Sequence, residues 1–151
     1  LGRLNTASWT EVQLLAPYAF IATLVMLLSR RTLDVMRLGD TEASSVGLRP
    51  QVVRFLVIAA ASLGTAASVS VSGLIAFVGI IVPHAVRLLA GTSNRIVLPL
   101  SVLYGAAFLA FVDLLGRSLV SPAEIPIGVI TAFCGAPFFV VVLRTSRKAL
   151  A

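Results

Sequence analysis

The chain has 151 residues, of which 58% are hydrophobic and only 12% charged, whereas a typical soluble domain is about 25% charged; this excludes a soluble enzyme and predicts an integral membrane protein. Twelve lysine and arginine residues against six acidic ones give a net charge of +6, but they cluster between long apolar runs, as topology signals do and nucleic-acid-binding surfaces do not. The single cysteine, Cys134, cannot form an intramolecular disulfide, and the sequence has no Cys/His cluster with metal-ligand spacing.

In chain order, four stretches without charged residues approach or exceed the length that spans a bilayer; they are 12–29, 55–86, 96–112 and 125–143. The second stretch has 32 residues, so as one helix it would be about 48 Å long, well beyond the roughly 30 Å of a hydrocarbon core. Between Ser68 and Gly73 it is rich in small and β-branched residues. We therefore expect two shorter helices there, at 54–71 and 74–90.

The basic residues favour the same division. By the positive-inside bias, the arginines from Arg30 to Arg54 and the basic tail 144–148 both belong in the cytoplasm, so an even number of spans must separate them. We predict an all-α polytopic transmembrane helical bundle in which residues 1–151 form one membrane domain, with the N-terminus outside and the C-terminus inside. The five spans are expected at 11–29, 54–71, 74–90, 97–118 and 126–143, although a re-entrant segment within 54–90 satisfies the same parity.

The start of the chain favours a longer protein. Leu1, Gly2 and Arg3 include no starting methionine and do not form the basic region of a signal peptide, although the predicted N-terminus is external. We expect the chain to be the C-terminal part of a longer membrane protein.

The segment between the first two spans is too long for a tight turn and contains helix start and stop signals. Residues 33–38 are predicted to form a short helix ended by Gly39, and Asp40 to cap a second helix that runs to Ser45 and stops at Gly47. We name residues 33–48 the elbow. Its apolar side chains could dock into a groove of a cytoplasmic partner or lie on the membrane interface. The sequence has no Walker A pattern, so any nucleotide chemistry belongs to a partner.

Two of the predicted spans carry small residues four positions apart, which places those residues on one helix face. The two sets are Ala60, Gly64, Ser68 and Ser72, and Gly128, Ala132 and Ala136. Small side chains let helices approach closely in a bilayer, where lipid provides little hydrophobic drive for association. Each face therefore either makes an ordinary helix contact or lines a pathway.

Few ionisable residues lie within or beside the spans. Asp113 and Arg117 are four residues apart near the outer end of 97–118, so they could form an ion pair, or Arg117 could contact an external partner. His84 has no acidic residue or second histidine nearby in sequence, which favours packing or hydrogen bonding over a metal or proton-relay role. Glu124 is most simply a solvated carboxylate of the outer loop.

The sequence SGLIAFVGIIVPHAVR, from Ser72 to Arg87, resembles the G-x-I-x-F-V-G-L-x-x-P-H-x-x-R segment of FecCD-type permeases. These are the membrane subunits of binding-protein-dependent ABC importers for ferric siderophores, haem and vitamin B12. Further matches follow in the family's order and cover nearly all of the chain. The residues that carry the resemblance include Gly73, Gly79, Pro83, His84, Arg87, Asp113, Glu124, Pro126 and Gly128.

Upstream, the segment from Leu38 to Leu48 resembles the family's coupling segment, L-G-[DE] followed by A and [LV]-G-[LV]. The resemblance implies that this elbow is received by a cytoplasmic ATPase and that Arg117 pairs with a glutamate of the substrate-binding protein. The implied ATPase-coupling residues are Leu38, Gly39, Asp40, Glu42, Ala43, Gly47 and Leu48.

The resemblance further implies ten spanning helices in a complete permease, of which this chain matches roughly the last five. The implied partners are a second permease copy, two cytoplasmic ABC ATPase subunits, an extracytoplasmic substrate-binding protein and the lipid of a bacterial inner membrane. ATP and Mg would bind in the ATPase partner, and the permease itself would hold no cofactor, metal or catalytic residue. The family's first five helices have no counterpart in this sequence.

Two other functions stay open from the residues alone. An ion-coupled secondary transporter would need carboxylates or histidines in mid-membrane, but Asp113 and His84 both lie near the ends of predicted spans. The second alternative to a permease is a truncated membrane fragment without transport activity.

Overall fold

A computed structural model of the protein describes residues 2, 8–118 and 126–148. Every regular element within these residues is an α-helix, which confirms the predicted all-α class. The helices are α1 (Trp9–Met36), α2 (Asp40–Ser45), α3 (Pro50–Ser72), α4 (Val78–Ala90), α5 (Asn94–Ser118) and α6 (Ile127–Lys148).

Helix α1 begins with a capping box. The backbone N–H of Glu11 donates to Ser8 Oγ at 3.3 Å, and the N–H of Ser8 donates to Glu11 Oε2 at 2.8 Å, so two otherwise unpaired donors are satisfied. The helix then continues to Met36, because no glycine or proline interrupts it after Pro17.

The elbow is consequently built differently from the expectation. The separate short helix predicted at 33–38 is wrong, since residues 33–36 are the last turn of α1. Asp40 is also not a capping residue: it is the first residue of α2, and Gly39 occupies the N-cap position without a side-chain bond. Pro50 is the first residue of α3, where its missing N–H costs no helical hydrogen bond.

The apolar run 55–86 is divided between α3 and α4 by a non-helical segment at 73–77. Gly73 ends α3 with a φ of 68°, and Phe77 precedes α4 with a φ of 67°. Because these positive angles are incompatible with a right-handed helix, α4 begins at Val78 and not at 74 as expected. Helix α4 has 13 residues and is about 20 Å long, which is shorter than a hydrocarbon core of about 30 Å. Where this part of the chain crosses the bilayer, the non-helical segment 73–77 must cover part of the distance.

Helix α1 packs mainly on α3 and also on α5, while α4 packs on α5 and α6. A small core lies between α4 and α5, where Val82, Val86 and Val97 are buried together. Helices α1, α3 and α5 are long and apolar enough to cross a membrane, and α4 and most of α6 are shorter apolar helices. Large apolar side chains such as Phe20 and Phe55 are mostly exposed, which agrees with a polytopic bundle whose outer surface faces lipid or further protein.

The helix directions define two ends of the bundle. Helix α1 ends and α3 begins at the elbow, and Ser93, directly before α5, contacts Asp34 in the last turn of α1. The start of α5 therefore lies beside the elbow, at what we name the elbow end. Helix α5 has 25 residues and is about 37 Å long, so Arg117 in its last turn lies at the opposite end, the far end.

Candidate functional site

The elbow is held by one face against the ends of two long helices. Ala43, in the middle of α2, is 0% exposed, whereas Leu38 and Val46 are 73% and 66% exposed. Arg54 of α3 donates from Nη2 to Asp40 Oδ1 at 2.7 Å. The elbow thus has a fixed inner face and leaves two apolar side chains uncovered on its outer face.

Gly39 is required in the turn that leads into α2. Its φ of 132° is one that residues with side chains rarely adopt, so any substitution there would strain the backbone. Thr41 Oγ1 donates to Glu42 Oε2 at 2.7 Å. This bond, with a further one from the backbone of Glu42, lowers the pKa of the exposed Glu42 carboxyl below its ordinary value.

The end of α2 is fixed by Gly47 and Leu48. Gly47 has a φ of 82°, its N–H donates to the carbonyl of Ser44 at 3.0 Å, and the N–H of Leu48 donates to the carbonyl of Ala43 at 3.1 Å. The structure therefore brings all seven predicted coupling residues into one compact turn–helix–turn.

A carboxylate that the sequence reasoning did not single out fixes this end of the bundle. Asp34 of α1 accepts from Ser93 Oγ at 2.7 Å and from the backbone N–H of Asn94 at 2.6 Å, which is the first residue of α5. The backbone N–H of Arg95 donates to Asp34 Oδ2 at 3.4 Å, and Arg95 Nε lies 3.9 Å from the same oxygen. Asp34 thus caps α5 from another helix, where a negative charge is favoured by the helix dipole.

Ser93 and Asn94 are residue types preferred at helix N-termini, so the sequence could have marked the start of α5 but not the distant carboxylate that caps it. Arg37, in the turn after α1, adds a second link by donating from Nη1 to the carbonyl of Thr92. A carboxylate and a guanidinium of the elbow are therefore both bonded to residues 92–94, at the start of α5.

At the far end, Asp113 and Arg117 form the predicted ion pair. Arg117 Nε donates to Asp113 Oδ2 at 2.9 Å, and the Arg117 side chain keeps 49% of its surface exposed. Gly116, between them in sequence, is buried. The ion pair orients the guanidinium without covering it.

The small-residue face of α3 combines the two roles that the sequence left open. Gly64 contacts α1, since a Cβ there would lie 2.9 Å from the Cβ of Ala22. Gly64, Ser68 and Ser72 also line a cavity of about 650 Å³ between α1, α3, α4 and α5. The two serine hydroxyls donate to carbonyls of their own helix, and the Ser101 hydroxyl on the cavity wall is buried with no partner in the described part of the chain.

The contact face of α6 includes the predicted Gly128 but not the other two predicted positions. Gly128 is close to the Leu74 carbonyl, because a Cβ would lie 3.1 Å from that oxygen, and a Cβ at Gly135 would collide with Phe77. Thr131, which lies between them on the face, is 0% exposed. The face therefore runs through Gly128, Thr131 and Gly135, whereas Ala132 is half-buried and Ala136 is exposed.

The remaining motif residues lie mostly along α4. His84 packs edge-on against Phe138, with ring centroids 5.8 Å apart at 80°, as the packing interpretation predicted. Pro83 lies inside the helix, Gly79 in its first turn has open space around it, and Arg87 in its last turn is exposed at the elbow end.

Pro126 directly precedes α6, where its carbonyl accepts from the N–H of Val129 at 2.9 Å. The solvated loop carboxylate predicted at Glu124 lies outside the described residues. Within the described residues, no group of three or more His, Cys, Asp or Glu side chains could hold a metal ion.

Comparisons with known proteins agree with these features. The model of the FecCD transport family matches residues 1–145. The chain is 42% identical over 148 residues to the uncharacterized ABC transporter permease protein YvrB of Bacillus subtilis (strain 168), covering 98% of this chain and 42% of that protein. It is 41% identical over 144 residues to the cobalamin import system permease protein BtuC of Halobacterium salinarum, covering 95% of this chain and 38% of that protein.

Among solved structures, one described as a metal-chelate-type ABC transporter in an inward-facing conformation superposes with a TM-score of 0.88 at 34% identity. The alignment covers 95% of this chain and 46% of that chain. The chain thus spans less than half the length of the relatives it matches.

Proposed function

This chain belongs to the FecCD transport family, and from that premise we propose that it serves in the membrane subunit of a binding-protein-dependent ABC importer. The proposed substrate is a ferric siderophore, haem or cobalamin. The cobalamin permease of Halobacterium salinarum and the metal-chelate-type transporter support this class. The proposed location is the bacterial inner membrane, with the elbow end in the cytoplasm and a second permease copy beside this one.

In the proposed mechanism the chain performs no bond chemistry. ATP binding, with Mg, closes a partner ATPase dimer, and the elbow transmits that motion to the helices, so that a central pathway changes the side to which it opens. The small side chains of Gly64, Ser68 and Ser72 around the cavity of about 650 Å³ suit a large chelate that moves past without being gripped. Selectivity would then reside in the binding protein.

The observation that carries the proposal is the construction of the elbow. Its inner face is anchored by buried Ala43, a half-exposed ion pair of Asp40 with Arg54 links it to α3, and Leu38 and Val46 are exposed. Exposed apolar side chains on a segment that is packed against the bundle can enter a groove of a partner. A movement of that partner would then displace the elbow. The bonds of Asp34 and Arg37 to residues 92–94 then carry any displacement into α5.

The test is a variant with Leu38→Ala, Asp40→Lys and Glu42→Lys in the full-length importer, reconstituted with its ATPase and binding protein. We expect a loss of substrate-stimulated ATPase activity and of transport. Leu103→Ala is the matched control, because Leu103 is 67% exposed on α5 but lies far from the elbow. Unchanged coupling in the triple variant would refute the role of the elbow.

Arg117 is the proposed contact for the binding protein at the far end. Asp113 fixes its Nε while about half of the side chain, 49%, stays exposed, so the guanidinium is held ready for an external carboxylate. Arg117→Glu should weaken binding-protein affinity by about tenfold or more, the worth of a charge-assisted hydrogen bond. Asp113→Asn keeps the positive charge and serves as the control; equal affinity losses in the two variants would assign the residues a structural role only.

A further inference from the structure

A basic depression lies in the surface at the elbow end. Its volume is about 450 Å³, and its lining residues are Leu33, Met36, Arg37, Arg54, Arg87 and Asn94. The first three of these residues belong to the elbow, and Arg54 is bonded to Asp40 of α2. The basic depression is therefore continuous with the segment that we propose the ATPase receives.

The three arginines of the basic depression differ in how their charges are balanced. Arg54 is paired with Asp40 at 2.7 Å. The carboxylate of Asp34 attracts Arg37 electrostatically. Arg87, in the last turn of α4, is exposed and makes neither an ion pair nor a side-chain hydrogen bond within the described residues. Its charge is balanced only by water and by the dipole at the end of its helix.

The rest of the elbow end has no carboxylate to spare for Arg87. Residues 30–54 and 87–95 together contain seven arginines and three acidic residues. The carboxylates of Asp34, Asp40 and Glu42 already accept hydrogen bonds from other residues. A protein that covers this end of the bundle therefore meets an excess of positive charge.

This excess determines what such a protein has to supply. Removing a guanidinium from water without a counter-charge is strongly unfavourable, and positive patches at interfaces are matched by negative ones. A partner that receives Leu38 also lies against Arg37, the preceding residue, and thus against the rim of the basic depression. The partner must therefore bring a negative group to this place.

We propose that Arg87 pairs with a carboxylate side chain of the partner ATPase that enters the basic depression. The inference rests on the proposed function, because it concerns the same partner as the elbow. The planar guanidinium can donate two parallel hydrogen bonds to one carboxylate, and the Asn94 amide adds an uncharged donor. Leu33 and Met36 offer apolar contact to the methylene groups of an acidic side chain. The pair would attach the ATPase to α4, which packs on α5 and α6, as well as to the elbow.

The first test detects the carboxylate directly. Arg87→Lys is introduced into the full-length importer, which is assembled with its ATPase and treated with a carbodiimide. The reagent activates a carboxylate, and a lysine amine in contact with it displaces the activating group as a urea and forms an amide. We expect mass spectrometry of the digested complex to find a cross-link from position 87 to an aspartate or glutamate of the ATPase. Arg31→Lys is the matched control, because Arg31 is exposed at the same end but does not line the basic depression.

The second test measures the affinity of the ATPase for the importer in phosphatidylcholine vesicles. Arg87→Gln should weaken it about tenfold, the worth of a charge-assisted hydrogen bond, whereas Arg31→Gln should leave it unchanged. Arg87→Glu combined with an arginine in place of the cross-linked carboxylate should restore most of the lost affinity. A purely structural role of Arg87 within the permease would not produce this rescue.

Three outcomes would overturn the proposal. Equal cross-linking from positions 87 and 31 would show general attraction by the basic end of the bundle, and a cross-link from position 87 to the permease itself would show an internal partner. ATPase affinity that Arg87→Gln lowers only in phosphatidylglycerol vesicles would assign this arginine to a lipid phosphate. In each case the elbow keeps its proposed role if the triple variant of Leu38, Asp40 and Glu42 still loses coupling. A wild-type importer that bound no ATPase would overturn both proposals.

Discussion

The contact between Gly135 of α6 and Phe77 yields a prediction whose magnitude can be worked out. A Cβ at position 135 would collide with Cβ and Cγ of Phe77. Because Cβ is fixed to the backbone, rotation of the Phe77 side chain cannot relieve the collision, so α6 or the segment 73–77 must move. We expect Gly135→Ala to incur an overpacking cost of about 1–3 kcal/mol.

Gly105→Ala is the matched control, because Gly105 is also inside a helix but a Cβ there would make an ordinary contact at 3.9 Å with Val82. Both substitutions add the same methyl group, so the gain in helix propensity of about 1 kcal/mol cancels in the difference between them. Unfolding of each variant in mixed micelles of neutral detergent and dodecyl sulfate measures that difference. If Gly135→Ala were as stable as Gly105→Ala, the close approach of α6 to Phe77 would be refuted.

Three further predictions address the elbow and the topology. Asp34→Ala should speed amide exchange at Asn94 and Arg95, whose N–H groups donate to Asp34, by about tenfold, which corresponds to the loss of a helix cap of about 1–2 kcal/mol. Asp40→Ala removes the exposed ion-pair partner of Arg54 and should leave these amides unchanged; equal exchange in both variants would refute the cap. Thr41→Val should raise the pKa of Glu42 toward its ordinary value in a nuclear magnetic resonance titration, because the Thr41 bond lowers it; the bond stabilises the elbow above the ordinary glutamate pKa and is lost as the pH falls through the lowered one. In a Cys134→Ala background, Ser45→Cys and Ser118→Cys should react with an impermeant maleimide from opposite sides of the membrane, and labelling from the same side would refute the proposed topology.

The fold class followed from composition because a bilayer permits few architectures. Long uncharged runs and the distribution of arginine predicted a helical bundle, and the length of the 55–86 run predicted a break within it. The position of α4 did not follow, because Phe77 adopts a positive φ at a place where a phenylalanine gives no local signal. Its conformation is accompanied by packing on Gly135 of another helix, and such a pairing is invisible along the chain.

The site was predictable where its contacts are local. The ion pair of Asp113 with Arg117 is a contact four residues apart on one helix, and the glycines at 39 and 47 mark the limits of α2. Asp34 was missed because its partners, Ser93 and Asn94, are distant in sequence. The face of α6 was misplaced because spacings of three and four residues both keep side chains on one helix face, and only the neighbours decide between Thr131 and Ala132.

Helix α5 connects the two proposed interfaces as one strut of 25 residues. Asp34 accepts a hydrogen bond from its first turn beside the elbow, and Arg117 projects from its last turn. If α5 shifts when the proposed ATPase binds, the affinity for the proposed binding protein changes by some factor. Linkage then requires that the binding protein change the affinity for the ATPase by the same factor. Either affinity, measured with and without the other partner, would therefore give the same coupling free energy, so one of the two measurements is enough.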